Sequence, residues 1–232
     1  MQFRIGLENN VEGRSMSWVL EHPGCFAYGA SGQAALDASP QAIRDYAAWV
    51  ASHNHGEPWF DPGEVNLQLE DTWETFQVND QYERVAEGYE INAWFLHDWK
   101  PLTAEDVARG LKLLSWSRAD LIETVSNLGE QALNKKEPGE RWDIAGIIRH
   151  IGGAEWWYLD RLGLAFPRSE VPAGPFERLE KVRASLEDIL PRLVETKQVV
   201  GTDAEFWSPR KLLRRAVWHE LDHINHIRKL ID

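Results

Sequence analysis

Two histidines and a glutamate near the end of the sequence form the pattern H-E-x-x-H. His219 and His223 are four residues apart, with Glu220 after the first, in "AVWHELDHINHIRKLID". Histidines at positions i and i+4 face the same side of an α-helix and can bind one metal ion, and in zinc proteases the glutamate of this pattern is the general base. The segment therefore predicts a divalent metal site, with Glu220 as the candidate catalytic residue.

The position of this pattern on its helix separates the histidines from the glutamate. A helical wheel places His219 and His223 at the edge of the apolar arc that contains Leu212 and Ala216. Glu220 also points inward, where a carboxylate is costly without a partner. A buried ion pair with an arginine of another helix is therefore the alternative to a catalytic role for Glu220.

A third metal ligand has to come from another part of the chain. His226 shares the face of the pair, but it lies ~10 Å along the helix axis from His219. His150, in "IIRHIGGAEWW", borders an apolar stripe that includes Ile147. A histidine from one helix that faces a pair on another makes a three-nitrogen site with an open position, as catalytic metal sites have. We therefore expect His150 to complete the site with His219 and His223.

The protease interpretation of H-E-x-x-H fails on its third ligand. Proteases with this pattern take that ligand from a downstream segment. Only nine residues follow His223, and His226 and Lys229 stand where the metzincin pattern needs glycine and histidine. A metalloprotease is therefore the least supported function for this metal site.

Composition limits the partners of the protein. The 232 residues carry a net charge of −12, with 16 acidic and 5 basic side chains in residues 1–102 but 21 and 20 in residues 103–232. Neither part is basic enough for nucleic-acid binding, and no apolar run approaches the ~20 residues of a membrane helix. The single cysteine excludes an internal disulfide, and the first residues lack the layout of a secretory signal. We therefore expect a cytoplasmic protein of bacterial type.

The periodicity of the apolar residues changes near Thr103. Before it, "MQFRIGLE" and "RSMSWVLE" alternate as strands do, and a helix follows, with Ser39 as its expected N-cap and Pro40 in its first turn. After it, four helices of about 20 residues are predicted, the last of them capped by Ser208. The predicted fold class is α+β, with a small β-α domain at 1–102 and an all-α four-helix bundle at 103–232.

The helices with the histidines resemble a known family. "WDIAGIIRHIGGAEWWYLDRLGL" and "AVWHELDHINHIRKL" are similar to the DinB-like superfamily of bacterial four-helix bundles, over residues ~105–232. The resemblance implies that His150, His219 and His223 hold a divalent ion such as zinc, nickel or iron. Characterised relatives include S-transferases and isomerases that use a low-molecular-weight thiol such as mycothiol, bacillithiol or glutathione. In the transferases the metal is thought to lower the pKa of that thiol.

The first part of the chain resembles a second family. "MQFRIGLENNVEGRSMSWVLEHPGCFAYGASGQAALDASPQAIRDYAAWV" is similar to the HicB-type fold, the small β-α unit of certain antitoxins. The DNA-binding tail of those antitoxins is missing, and the acidic charge opposes contact with DNA. We therefore expect a ligand-sensing or dimer-forming accessory domain.

Two functions of different class share the predicted site. One is a metal-dependent transferase or isomerase that acts on a small electrophile, and the other is a non-catalytic metal-binding or sensing protein. A roomy pocket above the open position would favour the enzyme, and its expected lining is Trp157, Tyr158 and Trp218. The expected partners are a small-molecule ligand or thiol and, from aromatic content and resemblance, a second copy of the chain.

The predicted ligand set has a direct test. We expect His219→Ala and His223→Ala each to lose the bound metal, because each removes one of three nitrogens, whereas His226→Ala should keep it. Elemental analysis of the purified variants measures the metal content. Full metal retention in His219→Ala would contradict the site.

Overall fold

The chain divides into two compact units. The computed structural model describes residues 1–231. Met1–Lys100 and Val199–Trp207 form the first, here called the N-terminal unit, and Pro101–Gln198 and Ser208–Asp232 form the second, here called the helical unit. A sheet is followed by helices along the chain, so the predicted α+β class is confirmed.

A four-stranded sheet organises the N-terminal unit. Its strands have the spatial order β3-β2-β1-β4, with β1 antiparallel to β2 and parallel to β4. In this register Ile5 lies opposite both Val19 and Leu69. Phe3, Ile5 and Leu7 of β1 are buried, as is most of β2, and these apolar residues alternate with polar ones as the sequence predicts. The elements are β1 (Gln2–Val11), β2 (Arg14–Val19), β3 (Phe26–Gly29), α1 (Gly32–His53) and β4 (Asn66–Glu74).

Helix α1 begins earlier than the sequence predicts. Ser31 is its N-cap, and the helix continues through Pro40. The expectation that Ser39 caps the helix is therefore wrong. Ser39 is buried, and its hydroxyl lies 2.7 Å from that of Ser17 on the sheet. The helix turns on both sides of Pro40 pack against the sheet. This packing stabilises the helix by more than the one backbone hydrogen bond that Pro40 cannot donate.

Short strands complete the N-terminal unit. Three two-residue strands form a small sheet, and a hairpin from a distant part of the chain joins the unit. The sequence places that hairpin in the second domain. Glu205 holds it in the N-terminal unit, because its carboxylate accepts hydrogen bonds from the Asn92 backbone at 2.9 Å and from the Asn92 side-chain amide at 2.6 Å. The strands are β5 (Gln77–Val78), β6 (Arg84–Val85), β7 (Tyr89–Glu90), β8 (Val200–Thr202) and β9 (Glu205–Trp207), with a 3-10 turn at Leu96–Trp99.

The helical unit contains four long helices, and three of them start at a side-chain cap. Thr103 and Asp106 form a capping box, Asp143 accepts a hydrogen bond from the Gly146 backbone, and Ser208 accepts one from the Lys211 backbone. The helices are α2 (Ala104–Val125), α3 (Glu130–Leu133), α4 (Ile144–Arg161), α5 (Pro175–Ile189) and α6 (Pro209–Ile231), with 3-10 turns at Arg168–Glu170 and Leu190–Leu193.

The four long helices share one apolar core. Helix α4 packs against both α5 and α6, and α2 packs against α6. Gly152 on α4 lets α5 approach, because a methyl group there would lie 3.3 Å from the backbone nitrogen of Leu179. None of the helices within residues 1–231 combines the length and the hydropathy that crossing a membrane requires. The core residues are Leu121, Val125, Ile144, Ile147, Ile148, Ile151, Leu179, Ile224 and Ile227.

The cap of α2 gives a stability prediction. Thr103→Ala should lower the free energy of unfolding by ~1 kcal/mol, because the Asp106 backbone N–H loses its acceptor at 3.1 Å. Urea denaturation measures the change. Ser115, exposed on the same helix, provides the control, and Ser115→Ala should stay within about 0.5 kcal/mol of the parent. Equal losses in both variants would argue against the cap.

Candidate metal centre

Three imidazole rings from two helices meet at one point. His150 projects from α4, and His219 and His223 project from consecutive turns of α6. The Nε2 atom of His219 lies 3.0 Å from that of His150 and 3.1 Å from that of His223. Within residues 1–231, these three side chains are the group whose ligand atoms lie close enough together to hold one metal ion. The structure thus brings together the three predicted ligands.

Burial keeps these imidazoles neutral. His219 is 7% exposed, and its pKa lies well below the usual histidine value because of burial and the neighbouring His223, His150 and Arg215. Burial and the electrostatic effect of His150 and His226 lower the pKa of His223 to about 3. A neutral imidazole has one unprotonated nitrogen, which is the form that binds a metal.

The triad fits a metal ion better than a set of hydrogen bonds. The single free lone pair of His219 Nε2 cannot accept two full hydrogen bonds, yet two other ring nitrogens lie within 3.1 Å of it. Nitrogens bound to zinc at ~2.05 Å in a tetrahedral arrangement are about 3.3 Å apart, which is close to both observed separations. The Nδ1 atoms of His219 and His223 are buried without a hydrogen-bond partner among the described residues. No hydrogen bond to Nδ1 from those residues therefore holds either ring in an orientation that turns Nε2 away from the triad.

Aromatic side chains border the triad. The Trp142 indole stacks on His150 with ring centroids 4.6 Å apart. Two of the predicted lining residues lie near His219: the ring of Tyr158 at 6.1 Å and that of Trp218 at 5.8 Å. Trp157, the third predicted lining residue, stands beside Tyr158 at 5.7 Å. The triad therefore has apolar walls, which strengthen electrostatic interactions inside them.

His226 has a partner of its own. Its Nε2 atom lies 3.0 Å from a carboxylate oxygen of Glu140, and its ring centroid is 6.2 Å from that of His223. His226 is therefore close to the triad but does not belong to it.

Glu220 faces away from the triad into a buried ion network. Its side chain is fully buried, and its oxygens accept hydrogen bonds from Ser117 on α2, from Arg118 at 2.6 Å and from Arg183 on α5 at 2.8 Å. Burial alone would raise the pKa of Glu220, but Arg183 and Arg118 outweigh it and lower that pKa. A carboxylate with a lowered pKa and occupied oxygens is unsuited to be a general base. This arrangement corresponds to the ion-pair alternative for Glu220.

A second carboxylate closes the network. Glu155 on α4 is 1% exposed and receives hydrogen bonds from Arg183 and, at 3.4 Å, from Arg118. The two guanidiniums also donate to backbone carbonyls: Arg118 to Leu179 at 2.9 Å and Arg183 to Leu114. Burial alone would lower the pKa of Arg183, but the nearby Glu155 and Glu220 outweigh burial and raise that pKa above its usual value. Arg183 is therefore permanently charged. The network therefore links α2, α4, α5 and α6.

The sequence offered an arginine partner for Glu220, but Glu155 and Trp142 were missed. One signal was present for Glu155, because it follows Ile147 and Ile151 at helical spacing and so places a carboxylate on the buried stripe of α4. Such a residue requires a buried cation. No periodicity identifies Trp142, which precedes the N-cap of α4 and reaches His150 two turns later.

One comparison with known proteins found a match. A family model of the DinB superfamily matches residues 113–227. This part of the chain is similar to that superfamily. The DinB-like segment contains the three histidines, Glu155 and Glu220, and the match supports that part of the resemblance noted in the sequence. Neither the curated proteins nor the solved structures contained a match to the chain.

The buried network gives a second stability prediction. Arg183→Met should destabilise the protein by ~3–5 kcal/mol, because Glu155 loses its main cation and Glu220 loses one of two. Arg192→Met is the matched control. Arg192 pairs with Asp188 one turn away on the surface, and its loss should cost no more than about 0.5 kcal/mol. Urea denaturation compares the two variants, and similar losses would show that the buried ions are not structural.

Proposed function

We propose that the helical unit is a DinB-like four-helix bundle that binds one divalent ion through His150, His219 and His223. The proposed activity is the thiol-dependent transfer or isomerisation of a small electrophile at this site. The observation that carries the proposal is the approach of three Nε2 atoms, from α4 and α6, to separations of 3.0 and 3.1 Å.

The chemistry of the donor set supports an ion of the zinc, nickel or iron type. Imidazole nitrogen suits these metals, whereas magnesium and calcium prefer oxygen. Three protein ligands leave a position for a water, thiol or substrate, as catalytic sites do. When bound, the ion would supply positive charge that lowers the pKa of a thiol placed against it.

The chain's own residues have two tasks in this proposal. The lowered histidine pKa values keep the three nitrogens unprotonated at neutral pH, so that they are available as ligands. Tyr158 and Trp218 provide apolar surface beside His219, which limits the access of water to a reacting thiolate. Glu220 has no step in the reaction, because its carboxylate belongs to the ion network.

We further propose that the N-terminal unit is a HicB-like accessory domain. The order of its elements, three strands, a helix and a fourth strand parallel to the first, supports this proposal. Its acidic surface argues against a DNA-binding role, because phosphate contacts require basic side chains.

The activity is tested with a model reaction. Metal-loaded protein should accelerate the reaction of a thiol such as glutathione with 1-chloro-2,4-dinitrobenzene, in which the sulfur bonds to the ring carbon, chloride leaves and the thiol proton goes to solvent. His150→Ala should lose this acceleration by a factor on the order of 100, because the ion is no longer held. Absorbance of the conjugate measures the rate.

Two outcomes would contradict the proposal in different ways. His53→Ala, at the end of α1 in the other unit, is the control and should keep the full rate. An undiminished rate in His150→Ala would remove the triad from the reaction. Bound metal without thiol-dependent rate would favour the non-catalytic metal-binding or sensing function instead.

A further inference from the structure

Among residues 1–231, no carboxylate forms an ion pair with a cation that lies close to the triad. The guanidinium carbon of Arg141 is 4.3 Å from the ring centroid of Trp142, and the same indole stacks on His150. Arg141 is exposed, and among the described residues no carboxylate forms an ion pair with it. The Trp142 indole therefore contacts both the candidate metal ligand His150 and the positive charge of Arg141.

The charges near His150 and His219 are mainly positive. Arg141 lies over the indole that stacks on His150. The Arg215 guanidinium stacks on Trp218 at 4.2 Å, so this cation too is held by an aromatic ring next to the triad.

The carboxylates of the same region are engaged elsewhere. Glu140 binds His226 at 3.0 Å. Asp143 accepts the Gly146 backbone N–H at 2.6 Å as the N-cap of α4 and lies 3.8 Å from Arg149. Glu155 and Glu220 belong to the buried ion network. The positive charge of Arg141 is therefore available to a ligand.

We propose that Arg141 binds a carboxylate of the molecule that occupies the open side of the triad, so that the substrate class is a small thiol or electrophile with a carboxylate. This inference rests on the metal function proposed above. The planar guanidinium matches a carboxylate in two parallel hydrogen bonds, and one positive charge balances one carboxylate. Stacking on Trp142 holds the guanidinium in place before the ligand arrives, which lowers the entropy lost on binding.

Two thiols of equal length test the inference without an activity assay. Co²⁺-loaded protein is titrated with 3-mercaptopropionate, which carries a carboxylate, and with 3-mercapto-1-propanol, which does not. The change in visible absorption gives each dissociation constant. Wild-type protein should prefer the carboxylate, and Arg141→Gln should reduce that preference about tenfold, as expected for a lost charge-assisted pair.

The controls separate this inference from the metal proposal. In Arg141→Gln the Co²⁺ spectrum and the affinity for the neutral thiol should stay unchanged, which shows an intact site. Arg168→Gln is the matched variant, because Arg168 is exposed in the same unit with its guanidinium 5.9 Å above Trp156, and it should keep the full preference. An equal preference in wild type and Arg141→Gln, or no binding of 3-mercaptopropionate to wild type, would overturn the role of Arg141. Failure of wild type to bind Co²⁺ would instead overturn the metal proposal, and this inference with it.

Discussion

The helical unit depends on the pairing of two buried carboxylates with two guanidiniums. Glu155 and Glu220 lie on different helices, and Arg183 reaches both of them from a third. Apolar side chains tolerate small shifts between helices, but a buried carboxylate that loses its cation costs several kcal/mol. The network therefore selects the register of α4 against α6. Because Glu220 follows His219 directly, that register also brings the pair on α6 opposite His150.

The same network determines the charge of the metal centre. Two carboxylates and two guanidiniums cancel within the network, so it lends no negative charge to the triad. The three imidazoles are neutral, so the divalent ion proposed to bind there would keep its full charge. Arg141 and Arg215 add to that positive field. A site of this kind stabilises anions, which connects the proposed thiolate chemistry with the proposed carboxylate of the substrate.

Sequence patterns predicted the parts of the structure that depend on local physics. The cap at Ser208 and the spacing of His219 and His223 involve residues within four positions, so they can be predicted from the chain. His150 was predictable because it borders the apolar stripe of its helix. Two helices that each carry an inward histidine can bury their apolar faces against each other in only a few ways. The partners of Glu220 were not predictable, since the choice of Arg118 and Arg183 among the arginines depends on tertiary geometry. The insertion of Val199–Trp207 into the N-terminal unit depends on equally distant contacts.

The pattern H-E-x-x-H serves two purposes on one turn of α6. Successive side chains on a helix point ~100° apart, so the glutamate cannot share the direction of the histidine before it. In the protease arrangement that difference directs the glutamate toward a water beside the metal. Here α6 is rotated so that Glu220 enters the core between Arg118 and Arg183, while His219 and His223 remain at the edge of the core as the proposed ligands. Because one turn holds both, any change that loosens the ion network also displaces a histidine of the triad, and the stability of the helical unit is coupled to the proposed binding of a metal ion.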